Sequence, residues 1–326
     1  MRVFIFLVTL VLSHSIFIKR GDAEVLSYPS SVAVMGDSIS EGMLTEYSLE
    51  RPPTLGQWLG ALGKIRDALG VDALSIVRSL FARAYHSWAT GDDATDLVFS
   101  HYERLKRLNP DIVAHNFAIS GSTSQDLDAQ SSELLRVESE LGAVTDYLIV
   151  LIGANDLNVG TKEEMPGPTH YGFNIESSLR RILSQNARRH VLLVSLPKIH
   201  EVMDRSKNFA VYNVIGKKIR CDALRRNVYG NRMLFARKGT LAYQASRMMA
   251  EMYRNELDRV AATLKADFPA LEIRSVRDYD VINLDFKALS VDCFHPSALG
   301  QALLAELTWR QGFWADLVSE EDLLEE

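Results

Sequence analysis

The sequence predicts an α/β fold in which a central parallel sheet is covered by helices on both faces. Short β-branched runs recur along the chain, and longer segments with helical periodicity lie between them. Strand and helix in alternation are the mark of a parallel sheet. Three of the runs also end in short polar, glycine-containing clusters, which is where an open parallel sheet forms its ligand crevice.

In chain order, residues 1–23 read as an export leader. Arg2 precedes an apolar run from Val3 to Leu12 that continues more weakly through Ile16, Phe17 and Ile18, and Gly21 and Ala23 give a small-x-small cleavage pattern. The alternative is an uncleaved anchor. Ser13, His14 and Ser15 interrupt the run, which falls short of the ~20 apolar residues that span a bilayer. The first strand is expected at 32–34, and others at 112–117, 147–152, 191–196 and 271–276. Two stretches, 40–110 and 197–240, exceed a simple strand-to-helix connection. They read as partly helical insertions of the kind that form lids or substrate walls. A long helix is expected over 241–268, with Leu241, Ala245, Met248 and Met252 on one stripe and Leu257, Val260, Ala261 and Leu264 continuing it. The methionines on it are read as core packing. A last helix is expected over 297–309, followed by a solvated acidic end at Glu320–Glu326.

Of the 326 residues, 47% are apolar and 24% charged, the profile of a folded globular chain. No repeat, low-complexity tract or linker divides it, so residues 24–326 are expected to form a single domain. The net charge of −6, with no extended basic run, argues against a nucleic-acid partner. With two cysteines, Cys221 and Cys293, neither a disulfide-dense scaffold nor a zinc cluster can form. One bridge is open to them in an oxidising compartment.

Four clusters supply what acyl transfer needs: Gly36-Asp37-Ser38, Ser120-Gly121-Ser122, Gly153-Ala154-Asn155-Asp156 and Asp292-Cys293-Phe294-His295-Pro296. A serine hydroxyl is a weak nucleophile until a base takes its proton, and the base needs an acid to orient it. Ser38 follows a buried strand, His295 is the natural base, and Asp292 lies three positions before it on one loop. Charge developing on a carbonyl oxygen needs donors fixed in advance. The backbone N–H groups of Ser38 and Gly121 and the side chain of Asn155 are the candidates. Asp37, Gly153 and Asp156 are read as supporting residues.

Taken together, these blocks resemble the GDSL, or SGNH, hydrolase superfamily. Gly36-Asp37-Ser38-Ile39-Ser40 resembles its GDSL block, Gly121 its glycine block, Gly153-Ala154-Asn155-Asp156 its G-x-N-D block and Asp292-x-x-His295-Pro296 its D-x-x-H-P block. All four stand in the family's order. The resemblance implies a flavodoxin-like three-layer α/β/α domain and hydrolysis of carboxylic esters without a metal or organic cofactor. Val34-Met35-Gly36-Asp37-Ser38, Ser87-Trp88-Ala89-Thr90-Gly91 and Asp292-Cys293-Phe294-His295-Pro296 look most like the phospholipase B-like branch. That implies phospholipid or lysophospholipid esters as substrates and leaves open a transient contact with a membrane surface. Ile39 in place of the commoner leucine and Ala154 in place of glycine depart from that branch. Together with the leader, the resemblance implies a bridge between Cys221 and Cys293. The alternative is two buried free thiols.

Other signals are weaker. His86, His101, His115, His170 and His190 lack metal-ligand spacing and read as surface or satisfied core residues. His200-Glu201-Val202-Met203-Asp204 has aspartate where a zinc protease needs its second histidine. No G-x-S-x-G occurs, which argues against an α/β-hydrolase fold. Phe81, Trp58 and Trp88 either line an acyl pocket or pack a small subdomain, with packing favoured. The rival functions are a short-chain carbohydrate acetylesterase and a non-catalytic secreted binding protein. A binding module has no need of Ser38, Asp292 and His295 together.

Overall fold

The computed structural model describes residues 28–49, 54, 81–212, 218–277 and 285–317. The leader at 1–23, Trp58 and the acidic end lie outside the described residues.

Five parallel strands form the main sheet: β1 (Ser31–Gly36), β2 (Val113–Asn116), β3 (Tyr147–Leu151), β4 (His190–Val194) and β7 (Glu272–Val276). Their spatial order is β2-β1-β3-β4-β7. β1 and β3 are buried along their whole length, as strands covered on both faces must be, and this is why they read as continuous apolar runs. From β1 the chain runs outward to β2 and then crosses back to β3, so the strand order reverses between β1 and β3. At such a switch point the loops leaving the two strands diverge and open a crevice at their carboxyl ends. Pairing of Gly36 with Leu151 brings the ends of β1 and β3 level. A separate antiparallel pair joins β5 (Ala210–Tyr212) to β6 (Lys218–Arg220).

Between the strands lie α1 (Ser38–Glu41), α2 (His101–Leu108), α3 (Leu127–Leu141), α4 (Ala154–Leu157), α5 (Pro168–Leu183), α6 (Ile199–Arg205), α7 (Cys221–Tyr229), α8 (Leu241–Asp267) and α9 (Ala298–Trp309). α5 packs between α3 and α8 to form one layer. The other side holds α2 and α9, joined by Arg104–Glu306 and by His101, whose ring nitrogens meet Thr308 Oγ1 at 2.9 Å and Tyr147 Oη at 3.0 Å. The fold is therefore a three-layer α/β/α sandwich. Its ends are set locally: Ser100 and Glu103 form a capping box at α2, Pro168 opens α5, and Ser297 caps α9.

One packing expectation is corrected. Leu241, Met248 and Met252 are exposed, by 83%, 60% and 44%, and the buried face of the first half of α8 carries Ser246, Ala250 and Tyr253. The true face is turned by about one residue, or ~100°. Ser246 disguised it: a polar side chain sits on the buried face because His200 Nε2, 2.8 Å away, satisfies its hydroxyl.

Candidate active site

Ser38 stands at the first position of α1, directly beyond β1. Asp37 caps that helix, its Oδ1 accepting the Ile39 N–H at 3.0 Å. The strand-to-helix turn works only with glycine at 36, since a Cβ there would lie 2.3 Å from the Leu151 carbonyl oxygen of β3. Four other segments lock the turn. Gln130 accepts from the Gly36 N–H and donates to its carbonyl, both at 2.8 Å. The Ser40 carbonyl accepts from Ser87 Oγ at 2.7 Å and Asn116 Nδ2 at 2.9 Å, and the Ile39 carbonyl accepts from Gln301 Nε2 at 2.9 Å. The Ser87–Gly91 block thus supports α1. Trp88 in it is fully buried in the core, and Phe81 packs edge-on to Tyr47.

The structure brings Ser38, His295 and Asp292 into one chain of hydrogen bonds. His295 Nε2 lies 2.8 Å from Ser38 Oγ, and His295 Nδ1 lies 2.5 Å from Asp292 Oδ2. The loop that carries the pair is wound around the carboxylate: Asp292 Oδ1 accepts the N–H groups of Phe294 and His295, each at 3.0 Å. Between them, Cys293 takes the left-handed conformation at φ +63°. Burial opposes ionisation of Asp292, but the facing His295 and hydrogen bonds from His295, Tyr229 and the Phe294 backbone outweigh it. The carboxyl is held down to about 2. An ionised acid bonded to Nδ1 leaves Nε2 to face the serine, the arrangement a general base needs.

Sequence reasoning foresaw the bridge that holds that loop and missed the two side chains beside it, Arg225 and Tyr229. Cys221, Arg225 and Tyr229 recur every four residues on one face of α7, and all three reach it. Cys221 and Cys293 form the expected disulfide, with Cα atoms 5.4 Å apart. Arg225 Nε donates to the Cys293 carbonyl at 2.8 Å, and Tyr229 Oη donates to Asp292 Oδ2 at 2.7 Å. The signal was present as an i, i+4, i+8 spacing that begins at a cysteine.

Gly121 and Asn155 lie beyond β2 and β3, the two strands that flank β1. Gly121 adopts φ +86°, a conformation that favours glycine. Its neighbours are tied on both sides: Ser120 donates through N–H and Oγ to Glu41 Oε2, and Ser122 Oγ accepts from Gln130 Nε2 at 3.1 Å. Asn155 Nδ2 donates to the Ser122 carbonyl at 2.9 Å. A primary amide has two N–H groups, so one bond can fix the side chain while the other serves a ligand. Asp156 accepts from the Ser124 N–H at 2.9 Å and from Ser124 Oγ at 2.7 Å, joining the Gly121 loop to α4. Gly153 opens α4 at φ +122°, where a Cβ would stand 3.2 Å from the Tyr171 ring. Asp37 is fully buried, and its Oδ2 has no hydrogen-bond partner among the described residues. Burial pushes its carboxyl up to about 7.

Away from these residues, His101 is a satisfied core histidine whose titration burial pushes down to about 3. His86 hydrogen-bonds Asp96, and with Asp93 these two bring one ligand atom each within 4.8 Å of one another. An apolar cavity of about 50 Å³ is lined by Ile39, Phe294 and Pro296, sequence neighbours of Ser38 and His295. A groove of about 700 Å³ follows Met233, Met248, Met249 and Met252. Among the described residues no helix is long and apolar enough to cross a membrane.

Among solved structures the chain is similar to TesA, at 18% identity and TM-score 0.44, covering 88% of this chain and 99% of that one. It is similar to the acetylxylan esterase Axe2 from Geobacillus stearothermophilus, at 16% identity and TM-score 0.39, covering 86% and 93%. It is also similar to the psychrotrophic esterase EstA from Pseudoalteromonas sp., at 12% identity and TM-score 0.39, covering 86% and 94%. No curated protein matches its sequence. Residues 32–308 match the GDSL-like Lipase/Acylhydrolase family model, and the chain belongs to that family.

Proposed function

We propose that this member of the family is an exported serine esterase that cleaves lipid esters, with phospholipid or lysophospholipid acyl esters as its substrates. The observation that carries the catalytic part is the hydrogen-bonded series Ser38–His295–Asp292. In this reading Ser38 Oγ attacks the ester carbonyl carbon while His295 Nε2 takes its proton. The tetrahedral oxyanion is held by the N–H groups of Ser38 and Gly121 and by the Asn155 amide. As the intermediate collapses, the carbon–oxygen bond to the leaving group breaks and His295 returns the proton to the departing alkoxide. Water then attacks the acyl-enzyme, giving its proton to His295, and release of the acid restores Ser38. Asp292 holds the imidazole and stabilises the imidazolium formed in each half.

The lipid part rests on the phospholipase B-like blocks. Export rests on the residue 1–23 pattern, and the Cys221–Cys293 bridge is in keeping with an oxidising compartment. A panel of esters from acetyl to long acyl, with lysophospholipids included, tests the substrate reading. Medium and long acyl esters are expected to be cleaved at least as efficiently as acetyl esters. Activity confined to acetyl esters would favour a carbohydrate acetylesterase instead.

A further inference from the structure

We infer that Tyr229 is a positioning residue that sets the strength of the Asp292–His295 pair. The inference rests on the triad reading above. Tyr229 Oη donates to Asp292 Oδ2 at 2.7 Å, and that same oxygen faces His295 Nδ1 at 2.5 Å. The carboxylate therefore divides one oxygen between a phenol and an imidazole. Its other oxygen is already occupied by the N–H groups of Phe294 and His295.

The phenol is held firmly in place. Its ring lies 5.0 Å from Phe235 and 5.7 Å from Phe294, centroid to centroid, and Phe294 lies 4.9 Å from His295. The helix that carries it is joined to the same loop one turn earlier by Arg225, on the Cys293 carbonyl, and two turns earlier by the disulfide. Arg225 also donates to the Met203 carbonyl at 2.9 Å and to Ser206 Oγ, which binds α7 to the end of α6. Removing the hydroxyl alone would leave this clamp intact.

The direction of the effect follows from charge. The phenol hydrogen draws electron density from Oδ2, which weakens the pull of the carboxylate on the imidazolium. Among the described residues, Arg225 from α7 interacts electrostatically with Asp292, and Asp37 from the turn after β1 with His295. A Tyr229→Phe variant leaves both of these in place. The acid limb of kcat/KM should then move to higher pH, because the imidazolium is held more strongly. The carboxylate, freed from the phenol, also loses a constraint on its orientation, so kcat should fall.

The test measures kcat and KM against pH for the wild-type protein, Tyr229→Phe, Tyr229→Leu and Ser38→Ala on one soluble ester, with the thermal midpoint of each. Tyr229→Phe is expected to lose about tenfold in kcat with KM unchanged, and to shift the acid limb upward by about half a pH unit. Tyr229→Leu, which also loses the ring, should show the same limb at a lower thermal midpoint. A Tyr229→Phe protein whose limb stays in place overturns the inference, whether or not kcat falls, since a merely structural residue would change stability alone. If Ser38→Ala retains turnover, the triad reading itself fails. If Ser38→Ala is inactive while Tyr229→Phe behaves as wild type, only the role of Tyr229 is rejected.

Discussion

Ser38 Oγ and His295 Nε2 meet at 2.8 Å although 257 positions separate them in the chain. Their meeting is produced by two local devices: a helix started by Asp37 at the end of a buried strand, and a loop wound on the carboxylate of Asp292. Each device can be perturbed separately.

Asp292→Asn keeps the shape of the side chain and removes its charge. An amide beside Nδ1 no longer stabilises the imidazolium and can favour the wrong tautomer, for which a loss on the order of 10⁴-fold in kcat is expected. Steady-state kinetics at neutral pH check this. A loss below tenfold would mean that the acid does not act through His295.

Asn155→Ala removes one proposed oxyanion donor. It should lower kcat by about 100- to 1,000-fold with little change in KM, because the interaction is made in the transition state. Asn155 also donates to the Ser122 carbonyl, so the thermal midpoint should be measured alongside. A change in KM alone would make Asn155 a substrate-binding residue.

Replacing both Cys221 and Cys293 by serine frees a loop closed over a separation of 72 residues. The chain-entropy model puts the loss of stability at about 4 kcal/mol. Because Cys293 directly follows Asp292, kcat should fall as well in the protein that remains folded. Denaturant unfolding with and without reductant checks the first expectation, and unchanged stability on reduction of the wild-type protein would contradict it.

Asp37 should make stability depend on pH. Its folded-state carboxyl is raised from the ordinary 3.8 to about 7, so its contribution is full below 3.8 and is lost as pH rises through about 7. The separation corresponds to ~4 kcal/mol at most. Asp37→Asn should therefore gain thermal stability relative to wild type between pH 5 and pH 8. A difference that stays constant across that range would show that the buried oxygen is solvated.

The sheet and the side chains that meet at the candidate site were legible in the sequence because each is written locally. Expected runs at 147–152 and 191–196 became β3 and β4 because strands buried on both faces must be apolar throughout. Ser38, Asp292 and His295 were legible because each cluster carries its own turn chemistry. Tyr229 and Arg225 were not: their four-residue spacing from Cys221 is written in the sequence, but which groups they meet depends on how α7 docks. The face of α8 was misread for a related reason. Ser246 is buried only because His200 is there to satisfy it, and that contact spans 46 positions.

In the proposed mechanism Ser38 is the nucleophile. The most direct measurement is reaction of the folded protein with a fluorophosphonate probe, followed by mass-spectrometric mapping of the modified peptide. The adduct is predicted on Ser38, with labelling abolished in a Ser38→Ala variant whose circular dichroism matches wild type. An adduct on another residue, or undiminished labelling of Ser38→Ala, would contradict it.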